Sequence, residues 1–178
     1  MWKTTFQRII VTTTAAVLLT GAMIWNTPSP TANAAVTDTG SYAYTAPRLA
    51  TSSATSAAAA TKVTKLVNQQ RAKLGLKPLA VDSKLQKMAQ IKAVDMANKG
   101  YFSHTSPTYG TPFKMMNTFG IKYTYAGENI AKGQSSAAEV MNAWMNSKGH
   151  KANILNKQYT HIGVGFQNGV WVQEFIRK

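Results

Sequence analysis

Between Gly127 and Leu155 the chain gathers most of its chemically capable residues. Glu128, one of six acids, stands between glycine-marked turns, and His150 follows Gly149 directly after a helical pattern. Ionisable residues at element boundaries face clefts more often than cores. A neutral imidazole ligates a divalent metal or carries a proton, and a nearby carboxylate orients it or activates bound water. Nucleophilic catalysis has little footing. The chain has no cysteine, and neither Ser103, beside His104, nor Ser147, three before His150, stands in a nucleophile elbow. Asn129 and Asn153 suit bracing loops better than reaction. Gln173 either points into a cleft from a closing strand or makes an ordinary strand hydrogen bond.

These residues need a scaffold. Val63, Leu66, Val67 and Arg71 share one helical face, in a helix ending near Gly75 with Pro78 beyond it. Asp82 or Ser83 caps a second helix, with the stripe Leu85, Met88, Ala89, Ala93, Met96 and Ala97 and an end at Gly100. Its methionines read as core fillers at helical spacing. Thr111-Pro112 opens a short helix ending at Gly120, and Tyr123-Thr124-Tyr125 has strand character. Ser136-x-x-Glu139 is a capping box for a helix carrying Val140, Met141 and Trp144, which Gly149 stops. Ile162, Val164 and Phe166 alternate, Gln167-Asn168-Gly169 turns the chain, and Val170 to Ile176 closes a hairpin. Alternation sets His161 with Gly163 and Gly165, whose bare backbone lets a ligand or another element approach closely. Helices first and strands late describe an α+β domain.

The 178 residues divide into three parts. Residues 1–34 read as a signal peptide: Lys3 and Arg8, an apolar stretch, then Ala32-Asn33-Ala34 as the cleavage site. Residues 35–61 are an Ala/Ser/Thr-rich linker, in which Ala57 to Ala60 offers a helical lead-in. Residues 62–178 have the size of one folded domain. The formal charge is +14, and losing Lys3 and Arg8 with the leader leaves +12. Such a field attracts anionic envelope polymers or lipids, or else serves solubility alone. No nucleic-acid-binding signature accompanies it. Export without disulfides suits a Gram-positive wall, and a monomer is expected.

Gly127-Glu128-Asn129-Ile130, followed by Trp144-Met145-Asn146-Ser147-x-Gly149-His150-x-x-Asn153-Ile154-Leu155, resembles the bacterial, YkwD-like branch of the CAP superfamily. Tyr101-Phe102-Ser103-His104, Asn68-x-x-Arg71, Gly163-Val164-Gly165 and Trp171-Val172-Gln173-x-Phe175 extend the resemblance over two-thirds of the chain. It implies a secreted α-β-α sandwich with a small antiparallel sheet between helical layers. It also implies a cavity lined by His104, Glu128 and His150, with Asn129, Asn153 and Gln173 nearby. Ser147 occupies the family's second acidic position and supplies no charge. His104 and His150 suit a divalent metal such as zinc, but two ligands fall short of the usual three at a catalytic zinc. A hydrogen-bonded network tying the loops together explains the same residues equally well. Three functions follow: a binding module for a small ligand, lipid, metal or protein partner; a metal-assisted hydrolase of peptide or wall polymer with Glu128 as base; or charge-driven envelope adhesion.

Overall fold

The computed structural model describes residues 48–178, with side chains from residue 54 onward. The expected signal peptide and the first part of the linker lie outside the described residues. Helix α1 spans Arg48–Ala72 and so reaches back into the stretch assigned to the linker. Ser56 and Ala60 are buried there, and Ser56 Oγ donates to the Phe166 carbonyl at 2.7 Å. This first part of the helix is hidden in the sequence because an alanine or serine facing a sheet leaves no apolar signature.

The elements that follow are β1 (Ala80–Val81), α2 (Ser83–Lys99), α3 (Pro112–Thr118), β2 (Tyr125–Lys132), α4 (Ala137–Asn146), α5 (Lys148–Ile154), β3 (His161–Gln167) and β4 (Val170–Arg177). Local chemistry sets their ends. Asp82 caps α2 by accepting from the Leu85 N–H at 2.8 Å. Ser136 caps α4, while the Glu139 carboxylate reaches back to Ser135. Gly149 does not stop the α4 helix. The break falls at Ser147, whose extended backbone (φ −99°, ψ 120°) separates α4 from α5.

The sheet order is β1-β3-β4-β2. It is mixed, not wholly antiparallel as expected: β1 runs parallel to β3, and the other pairs are antiparallel. The reason is the turn after α1. Asn68 takes the Leu79 N–H (2.8 Å) and holds its carbonyl (3.0 Å), and Arg71 Nε donates to the Lys77 carbonyl at 2.9 Å. The chain is thereby laid alongside β3 in β3's own direction. Nor does Glu128 sit between turns. It is inside β2, which pairs with β4 from Tyr125↔Arg177 to Lys132↔Val170. Asn168 and Gly169, both at positive φ (47° and 75°), form the tight β3–β4 turn.

Helices cover both faces. On one, Val63, Val67, Val140, Trp144 and Ile154 from α1, α4 and α5 pack on Ile162, Val164, Trp171 and Phe175. On the other, α2 and α3 bring Leu85, Met88, Ala89, Met96, Met115 and Met116 against Ala126, Ile130, Val172 and Ile176. Burying each of the larger side chains contributes about 1.5–3 kcal/mol. The contact of α2 with β3 is the tightest. A Cβ at Gly163 would lie 2.6 Å from the Leu85 carbonyl oxygen, and one at Gly165 2.2 Å from that of Ala89. Beside these contacts, Gln86 and Gln90 bond the backbone of Val164 and Phe166 as a neighbouring strand would. Gly165→Ala should therefore lift α2 and destabilise the fold by about 2–4 kcal/mol in urea unfolding, since backbone cannot yield as a side chain can. An unchanged midpoint would show the contact to be slack.

Candidate functional site

The site begins on α2. Lys92 lies on the helix's buried stripe, three residues before Asp95. Asp95 accepts from Tyr101 Oη (2.5 Å), Ser106 Oγ (2.6 Å) and Thr108 Oγ1 (2.8 Å), with Lys99 Nζ 3.1 Å away. Burial alone would raise this carboxyl, yet the hydrogen bonds from Ser106, Tyr101 and Thr108 hold it far below the usual carboxylate range. Burial and the bond to Asp95 raise the Tyr101 phenol. Asp95 thus fastens the loop leaving α2, and the Lys92 ammonium fastens it again by donating to the His104 carbonyl. The loop so held presents His104 to β2, where Nδ1 meets Glu128 Oε1 at 2.5 Å.

Alternation along β2 then divides the family's Gly-Glu-Asn motif between the two faces of the sheet. On the α2 face stands Glu128, with Lys92 Nζ 3.8 Å from its Oε2. Across the ladder from Glu128 is Glu174, fully buried, whose own partner on β3 is Gly163. Neither Glu174 carboxyl oxygen has a hydrogen-bond partner, nor does Glu128 Oε2. Burial, then the neighbouring Glu128 charge, raises the Glu174 carboxyl well above its ordinary value, and Lys92 opposes the shift. The register places the two carboxyls opposite each other on the α2 face, so that protonation of Glu174 relieves the repulsion between them.

On the other face, Asn129 Nδ2 donates to Gln173 Oε1 at 2.9 Å and to the His150 carbonyl at 3.1 Å. Asn153 Nδ2 donates to Asn129 Oδ1 (2.8 Å) and to the Glu128 carbonyl (3.3 Å), so α5 is pinned to β2. The glycine of the motif serves this face too, since a Cβ at Gly127 would lie 2.2 Å from Tyr159 Oη.

The structure therefore brings His104 to Glu128, and Asn129, Asn153 and Gln173 to one another and to the His150 main chain. His150 itself is buried. Ser147 sits half-buried at the α4–α5 break, where its side chain makes no capping bond. His161 is half-buried at the start of β3, its Nδ1 2.8 Å from Thr160 Oγ1. Lys92, Asp95 and Glu174 were missed from sequence. Lys92 had a signal: it occupies a stripe position seven residues after Leu85. Glu174 lacked one, because every residue of β4 from Val170 to Ile176 is buried, on both faces.

Among the described residues no group of three or more His, Asp or Glu is arranged to hold a metal ion. Lys92 already supplies a positive charge beside the Glu128 carboxyl. The donor set thus does not fit a tightly held divalent cation.

The profile of the cysteine-rich secretory protein family, CAP, matches residues 64–175. The chain is 57% identical over 119 residues to YkwD of Bacillus subtilis, an alignment covering 66% of this chain and 46% of YkwD. Among solved structures it resembles an extracellular SCP-domain protein of Bacillus anthracis (TM-score 0.71, 34% identity, 73% of this chain and 44% of that one). It also resembles an outer surface protein of Borrelia burgdorferi (TM-score 0.60, 25% identity, 65% of this chain and 90% of that one). The chain spans less than half the length of the two Bacillus relatives.

Two outcomes follow from the buried cluster. A carboxyl raised on folding makes stability fall as pH climbs from about 4.5 toward its folded value. Glu174→Gln removes that loss. The variant's advantage in Tm should be near zero at about pH 4 and widen as the pH rises above about 4.5. A pH-independent difference would refute the raised Glu174 carboxyl. Lys92→Met, which leaves the carboxyls without their buried cation, should cost about 3–5 kcal/mol at neutral pH, and less in the Glu174→Gln background, by denaturant titration.

Proposed function

The chain belongs to the CAP family, and from that membership we propose an extracellular binding module that holds anionic polymers or lipids of the bacterial envelope through its cationic exterior. The distribution of acids carries this reading. Among the described residues the acids are Asp82, Asp95, Glu128, Glu139 and Glu174. Asp95, Glu128 and Glu174 are buried. Asp82 is paired with Lys178 at 2.7 Å, and Ser135 binds Glu139. The lysines are mostly exposed and only Asp82 and Glu139 among these acids reach the surface, so the outside carries essentially the whole of the net positive charge. The descriptions of the relatives as extracellular and outer surface proteins agree with such a location.

Of the two explanations that the sequence leaves open for His104, Glu128 and His150, the geometry favours the network. Glu128 is 1% exposed and committed to His104 and Lys92, a poor posture for a base that must meet a substrate. The cluster ties the loop after α2 to the sheet, and the exterior does the binding.

Retention of the mature chain on purified Gram-positive envelopes, measured by sedimentation, tests this function. Binding should fall steeply between about 0.1 and 1 M salt, as the Debye length shrinks from about 10 to 3 Å. It should survive His104→Ala at any salt where that variant is folded. Retention indifferent to salt, or lost with His104 in a folded variant, would return the function to the histidine cluster.

A further inference from the structure

The cationic exterior has a pole. Where β4 ends, two cavities open on opposite faces of the sheet. One, of about 640 Å³, lies between the start of α2 and the entry to β2, with Lys84, Lys122, Lys178 and Tyr123 in its wall. The other, of about 570 Å³, lies beside the turn after α1 and is lined by Arg71, Lys77, Lys157 and Arg177 with Gln158 and Thr160. Neither takes in His104, Glu128 or His150. Arg177 and Lys178, consecutive in the chain and directed to opposite faces, line one cavity each. The two hollows thus meet around the end of a single strand.

Counter-charge is scarce here. The first cavity has Asp82, already matched by Lys178, and the second has no acid. Arg71, 1% exposed, donates to the carbonyls of Lys77, Ile154 and Asn156, and no carboxylate among the described residues pairs with it. Gathering cations without acids strains the folded state unless an anion supplies the missing charge.

Resting on the envelope-binding function above, we infer that this pole is a site for a phosphodiester-bearing polymer chain that runs from one cavity to the other around the end of β4. Most of the cations are lysines, whose compact charge suits phosphate oxygens spaced along a chain, where planar carboxylates would favour arginine forks. Gln158, Thr160 and Thr124 offer polar groups to a polyol backbone. A flat bilayer would touch the rims of two concave sites on opposite faces without filling either.

The test is calorimetry of the mature chain with soluble poly(glycerol phosphate). Lys84→Glu/Lys122→Glu alters the first cavity and Lys77→Glu/Lys157→Glu the second. Lys62→Glu/Lys65→Glu, on the exposed side of α1, makes the same change of charge elsewhere. Each pole pair should weaken binding about tenfold or more, and the α1 pair less than about threefold. Equal losses in all three would overturn the site and leave the envelope function standing on diffuse charge. Binding to anionic phospholipid vesicles but not to the polymer would overturn the polymer assignment. Failure to bind the polymer and purified envelopes alike would remove both proposals together.

Discussion

The closeness of α2 to β3 is the constraint on which the remainder depends. Backbone rests on backbone at Gly163 and Gly165, with no side chain between. That distance sets Lys92 deep enough to touch Glu128 and sets Asp95 where it can collect three hydroxyl groups from the following loop. The loop then has little freedom, and His104 arrives at the carboxyl because the helix brings it there. The same closeness makes room for Glu174, which faces Gly163 across the ladder. A buried cation among buried carboxyls is an expensive arrangement in isolation. Here it is sustained by packing that leaves its members nowhere else to go.

Much of the scaffold was legible because it is local. Asp82, Ser136 and the Asn168-Gly169 turn act within a few residues of themselves, and the sequence states such chemistry directly. The methionine stripe of α2 was legible for the same reason. The parallel placement of β1 was not, since it follows from Asn68 and Arg71 fastening a turn, and nothing in Ala80-Val81 advertises a strand direction. Ser147 as a helix break in place of Gly149 was also hidden, because glycine is only a permissive signal.

Among the site residues, His104, Glu128, Asn129, Asn153 and Gln173 were all named from sequence, but their division between two faces was not. Adjacent positions on a strand point apart, so Glu128 and Asn129 serve opposite helical layers. A motif that reads as one site along the chain is two clusters in space, back to back across β2. Glu174 was invisible because a strand buried on both faces has lost the alternation that would have flagged a carboxyl turned inward.

The side-chain amides of Gln86 and Gln90 have a consequence for assembly. Beyond the two residues of β1, the outer backbone groups of β3 would be an open template for a strand from another molecule. The helix already lying across the sheet answers those groups at Val164 and Phe166, and Ser56 answers Phe166 a second time. The sheet therefore stops growing on that side without a fifth strand, and copies of this domain can be crowded together with that border closed to cross-molecular zippering.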